Sequence, residues 1–177
     1  VDVTGGADGI YAQNLGDGAM SVTSTGAVAG TNGYGILARN YGTNLTISVH
    51  DVSGGNKNGI LAVNDGTGAM LVKSTGAVSS LNAAGINARN EEDGTNLDID
   101  VSSVTGGSDA ILATNNGKGA LSIKATGAVT GTAGGNGVSA TNHGTDLSIS
   151  AASVLGDSAG INARNYGSGT LSITSTG

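Results

Sequence analysis

Few side chains in this chain have the types and spacing to do chemistry. Asp98 and Asp100 flank Ile99 and point the same way on an extended backbone. At i, i+2 their carboxyls stand ~6.5–7 Å apart, close to the separation in an inverting glycoside hydrolase. No aromatic platform for a sugar stands nearby, and no long loops flank the pair to form a cleft. Asp100 falls level with Lys73 one repeat earlier and Lys124 one repeat later, so charge pairing across strands, worth a few tenths of a kcal/mol, accounts for it. Glu91, Glu92 and Asp93 are three adjacent carboxylates. A calcium ion wants about six to eight oxygens, and one acidic trio falls short. His50 beside Asp51, and His143, are isolated histidines with no nucleophile at matching positions. Zero cysteines exclude a Cys nucleophile, a disulfide framework and Cys-ligated zinc. The sequence therefore predicts no catalytic residue, no metal site and no cofactor.

The elements that would position these groups are set by a recurring hexad, Gly-Ile-Leu-Ala-Arg-Asn at 35–40. Its copies begin at Gly9, Gly35, Gly59, Gly85, Ala110, Gly137 and Gly160. Their Ile or Val positions are separated by 26, 24, 26, 25, 27 and 23 residues, a period that marks a repeat architecture. Ile and Ala two apart in each copy share one face of a strand. A second apolar pair follows a turn: Met20/Val22, Leu45/Ile47, Met70/Val72, Leu97/Ile99, Leu121/Ile123, Leu147/Ile149 and Leu171/Ile173. A third, shorter segment centres on Val28, Val52, Val78, Val104, Val129 and Val154. Three short strands and three turns in ~25 residues make one coil of a solenoid. Stacking about seven coils ~4.8 Å apart, Ile over Ile and Val over Val, buries an apolar face that no single coil can bury alone. The Asn closing every hexad (14, 40, 64, 90, 115, 142 and 165) fits a left-handed turn residue and a stacked hydrogen-bonding column.

Composition sharpens this reading. There are 33 Gly and four Tyr, with no Phe, Trp, Pro or Cys, so the core is thin and aliphatic. The net charge of −6 argues against nucleic acid and anionic lipid and suits a neutral or basic partner. No apolar run reaches the ~20 residues of a membrane span. Odd coils end in Thr-Gly-Ala-Val and even coils carry Val-x-Gly, so the deeper unit is a two-coil repeat of about 50 residues. Thr25, Thr75, Thr126 and Thr176 recur only in alternate coils, which breaks any threonine lattice. Neither end shows a polar cap or a helix, so 1–177 is expected to be one segment of a longer rod, or a rod that stacks on something.

Repeats reading GI-x-A-R-N-x-G-T-x-L-x-I and S-x-T-G-A-V-x-G-T resemble passenger domains of type V autotransporters, in particular the Bartonella angiogenic factor group. The resemblance spans nearly the whole chain. It implies a right-handed parallel β-helix carried to the bacterial surface, or secreted, by a C-terminal barrel. Such passengers are adhesins, toxins, proteases or host-receptor ligands, and the shared scaffold does not choose among them.

Two outward columns are the candidate contact surface. One is Tyr11, Leu37, Leu61, Asn87 and Leu112; beside it run Gln13, Arg39, Val63 and Arg89. Tyr and Arg over an apolar patch are favoured at interface hot spots. The loop Glu91-Glu92-Asp93, longer than its counterparts, adds a second candidate contact. The expected function is a secreted or surface-exposed virulence factor binding a host cell-surface protein. By resemblance, the partner would be a growth-factor receptor of the tyrosine-kinase kind, with the chain acting as a mitogen. An inert stalk is the alternative, and a polysaccharide-degrading enzyme a more distant one.

Overall fold

The computed structural model describes residues 1–175. Among them there is no helix, and every paired strand is parallel. Seventeen strands fall in two sheets. The larger contains β1 (Val3–Gly5), β3 (Met20–Thr23), β4 (Val28–Gly30), β6 (Leu45–Val49), β7 (Val52–Gly54), β9 (Met70–Ser80), β11 (Leu97–Gly106), β13 (Leu121–Gly131), β15 (Leu147–Gly156) and β17 (Leu171–Ser175). The smaller is built only from hexads: β2 (Ile10–Asn14), β5 (Ile36–Asn40), β8 (Ile60–Asn64), β10 (Ile86–Asn90), β12 (Ile111–Asn115), β14 (Val138–Asn142) and β16 (Ile161–Asn165). Coils are numbered 1 to 7 from the hexads. The chain is a parallel β-solenoid, and parallel strands joined by crossovers wind right-handed.

The hexads stack in the expected register. Ile10, Ile36, Ile60, Ile86, Ile111, Val138 and Ile161 form one ladder, and the seven alanines two residues on form another. These meet the Met/Leu and Val/Ile pairs of the opposite sheet in one continuous aliphatic core. In the middle coils those side chains are 0–2% exposed, each large one worth ~1.5–3 kcal/mol of burial.

The three expected segments are present in each of coils 1 to 6, but their separation is not uniform. In coils 1 and 2 the second and third segments are distinct strands; in coils 3 to 6 they join into one strand of ten or eleven residues. The register shifts where they meet. Odd coils take four steps around this corner, Ser74 to Val78 and Ala125 to Val129. Even coils take three, Val49 to Val52, Val101 to Val104 and Ala151 to Val154. The extra residue is a bulge, and it is the physical content of the Thr-Gly-Ala-Val alternation.

Aspartate and asparagine oxygens clamp successive coils from alternating corners. Before the hexad the acceptors come from odd coils: Asp8 takes the Tyr34 N–H at 2.9 Å, Asn58 that of Ala84 at 3.2 Å and Asp109 that of Asn136 at 2.6 Å. After the hexad they come from even coils: Asn44 to Ala69 N at 2.9 Å, Asn96 to Ala120 N at 3.0 Å and Asp146 to Thr170 N at 2.7 Å. Asp51 adds a bond to Ala77 N at 2.7 Å. Each of the six junctions between coils 1 and 7 carries at least one such bond.

Candidate partner-binding face

The outer surface of the hexad sheet carries the candidate residues because strand alternation leaves them no other side. Tyr11, Leu37, Leu61, Asn87 and Leu112 form one ladder, and Gln13, Arg39, Val63, Arg89 and Thr114 the next. Over coils 1 to 3 a shallow depression of about 220 Å³ is lined by Tyr11, Gln13, Tyr34, Leu37, Arg39 and Leu61. Tyr11 is 64% exposed, whereas Leu37 and Leu61 are half-buried and form the floor. The Tyr11 hydroxyl donates to Gln13 Oε1 at 3.4 Å, and Arg39 Nη1 donates to the Tyr41 hydroxyl at 3.5 Å. That hydroxyl partner and burial act oppositely on the guanidinium, and the partner wins, raising its pKa.

Four expected contact residues, Tyr11, Leu37, Arg39 and Leu61, therefore meet in one place. Two others are placed differently. Val63 faces outward but is 6% exposed, between Arg39 and Arg89 in the ladder. It is not available to a partner. Leu112 lies beyond Asn87, which interrupts the leucine column and holds a buried carbonyl oxygen with no hydrogen-bond partner. Tyr34 was not among the expected residues. It stands before the hexad, at a corner, where hexad alternation says nothing about direction.

The acidic loop is partly neutralised from within. Glu91 turns back to Arg89, 2.8 Å from Nη2, and accepts from Asn116 Nδ2 at 2.9 Å. Asp93 approaches Lys118 at 3.9 Å with both side chains about three-quarters exposed, a pair of little energetic weight. Glu92 is exposed. Among the described residues no three His, Cys, Asp or Glu side chains gather as a metal site.

The remaining groups serve the scaffold, with one correction. Asn14 through Asn165 form a continuous ladder in which each Nδ2 donates to the next coil's Oδ1 at 2.7–2.9 Å. Five of these asparagines are fully buried, so the column is a structural spine rather than a polar binding row. Asp100 is a ladder neighbour of Lys73 and Lys124, yet no ion pair within 4 Å joins them among the described residues. Burial raises the pKa of Asp98. His50, expected to stand alone, has its Nδ1 3.0 Å from the Thr75 hydroxyl and its Nε2 3.6 Å from Asp51. Coil stacking brings them together across 25 residues of sequence. The imidazole and the Asp51 carboxylate are half-exposed and Asp51 already serves as a coil clamp, so the set lacks the enclosure of a catalytic triad. His143 stacks on Tyr166 of the next coil with ring centroids 5.1 Å apart. Thr25 and Thr75 line an open groove with His50 between them; Thr176 lies outside the described residues. No protein-family model, curated protein or solved structure matches the chain.

Proposed function

We infer that this solenoid is a binding module, displayed on a bacterial surface or secreted, that contacts a host cell-surface protein through the outer face of its hexad sheet. The observation that carries this reading is the Tyr11–Tyr34–Leu37–Arg39–Leu61 depression, which joins aromatic, aliphatic and guanidinium groups on a rigid sheet. The motif resemblance to autotransporter passengers supports the setting and, more narrowly, a growth-factor receptor as partner and a mitogenic role. The net charge of −6 argues against nucleic acid as the partner. The second reading is an inert stalk. It is favoured by the unbroken asparagine ladder, which suits a stiff spacer.

Binding of the purified, labelled chain to endothelial and epithelial cells separates the two. A binding module gives saturable binding that unlabelled chain competes away, and the double variant Leu37→Ser/Leu61→Ser loses it while melting like the parent. A stalk shows no saturable binding to either cell type from β-rich, monomeric protein, and that outcome sinks the binding reading for this segment.

A further inference from the structure

We propose that Arg39 is the anchor for a carboxylate on an extended partner segment, with an apolar side chain two residues away seated in the Tyr11–Tyr34–Leu37–Leu61 depression. The proposal rests on the reading of this face as a contact surface and names what the face recognises.

The repeat supplies its own control. Arg39 and Arg89 occupy the same column, each two residues before the tip of the turn after the hexad. In coil 4 that tip is Glu91, and Arg89 is paired with it at 2.8 Å. In coil 2 the tip is Tyr41, whose hydroxyl lies 3.5 Å from Arg39 Nη1, at the outer limit of a hydrogen bond. No carboxylate stands within 4 Å of Arg39 among the described residues. Asp65 at the tip of the next turn adds only a longer-range charge, so this exposed guanidinium stands beside half-buried leucines with no carboxylate bonded to it. An incoming carboxylate gains a charge-assisted, bidentate contact there, next to an apolar floor.

The size of the depression selects the ligand class. At about 220 Å³ it falls below the range of ordinary small-molecule pockets, which begin near ~300 Å³, and suits one protein side chain. Leu37 and Arg39 are two apart on one strand, so they present ~6.5–7 Å spacing on one face. An extended segment with an apolar residue and an acidic residue at i and i+2 has the same spacing. Three of the chain's four tyrosines, Tyr11, Tyr34 and Tyr41, surround this point and provide amphipathic walls.

The test uses two peptides, Thr-Leu-Thr-Glu-Thr and Thr-Leu-Thr-Gln-Thr, at equal density on sensor surfaces. The expected result is roughly tenfold tighter binding to the Glu surface, a preference that fades with added salt. Tyr41→Glu sets a carboxylate two residues beyond Arg39, the spacing of Arg89 and Glu91, and abolishes the preference, as does Arg39→Gln; Arg89→Gln leaves it intact. Equal binding to the two surfaces, or a preference that survives Tyr41→Glu, overturns the anchor. Cell binding distinguishes this failure from failure of the face: loss in Leu37→Ser/Leu61→Ser but not in Arg39→Gln discards the anchor and keeps the face, whereas loss in neither discards both.

Discussion

Replacing Asn90 with alanine cuts the asparagine ladder at its middle. Asn90 is fully buried, accepts from Asn64 Nδ2 at 2.9 Å, and donates to Asn115 Oδ1 at 2.9 Å and to the Thr95 carbonyl at 3.1 Å. Truncation leaves one N–H of Asn64, the Asn115 carbonyl oxygen and the Thr95 carbonyl without that partner. Each orphaned buried group costs ~1–3 kcal/mol, and a water entering the small space left behind offsets part of it, so the expected loss is about 3–6 kcal/mol. Asn165→Ala at the open last layer removes the same group where water replaces it, for about 1 kcal/mol or less. Asn90→Asp keeps the volume but turns a carboxylate toward two acceptors. It destabilises at neutral pH and partly recovers on acidification, when the protonated carboxyl can donate one bond. Urea unfolding followed by far-ultraviolet circular dichroism measures all three. A solenoid is coupled only between neighbours, so Asn90→Ala is also expected to broaden the transition as the two halves uncouple. A cost for Asn90→Ala no larger than that for Asn165→Ala refutes the spine and returns the column to the status of a polar row.

Asp146 accepts from the Thr170 N–H at 2.7 Å and its hydroxyl at 2.9 Å, which holds the carboxyl below the ordinary range. Its contribution is present above the unfolded pKa of ~3.9 and lost as pH falls through the lower folded value. Asn44 and Asn96 accept the equivalent bond as amides, so Asp146→Asn is expected to keep the junction and flatten this acid limb in melts across pH. Asp98 has the opposite sign: burial raises its folded pKa, so the charged form costs stability above that value and the cost vanishes below the unfolded pKa. Asp98→Asn therefore raises the melting temperature at neutral pH and leaves it unchanged in strong acid. Gly85→Ala puts a methyl 2.5 Å from Val104 Cγ1 and 2.8 Å from the Ala110 carbonyl oxygen, whereas at Gly160 the nearest atom is the Val154 oxygen at 3.6 Å. The expected costs are about 1–2 kcal/mol and under about 0.5, the first held down because Ala110 shows that this corner can open for a methyl.

The hexad register was legible because in-register stacking asks the same question at each position of every coil. An inward site must take Ile (once Val) or Ala in all seven coils, and the answer repeats visibly. The stacked asparagine column was legible for the same reason, but the left-handed backbone expected of it is absent: these asparagines close strands, and among the described residues other than glycine only Ala133 has a positive φ. Exposure was not, because it depends on what stands above and below. Val63 looks outward by alternation, yet between the neighbouring coils it is 6% exposed. The contact between His50 and Thr75 is set by a corner length that no apolar period reports. Tyr34 escaped because it precedes the hexad and its direction is fixed by a turn.

The two-coil unit shows the same limit and explains why the outer face can carry function. The alternation of Thr-Gly-Ala-Val with Val-x-Gly was plain in the sequence, but the clamps were not, since an Asx oxygen bonds a backbone N–H one coil away and that partner has no side-chain signature. Once seen, the clamps and the ladder place the side-chain hydrogen bonds between coils at corners and in one buried column. On the outer hexad face, the side-chain bonds of Tyr11 and Arg39 stay within one coil. In this depression the residues that could meet a partner are therefore not those that hold the rod together, so Leu37, Arg39 and Leu61 can be changed without removing a side-chain hydrogen bond between coils, whereas Glu91 of the acidic loop does carry one, to Asn116. That separation is what lets a loss of binding in the proposed variants be read as a loss of contact.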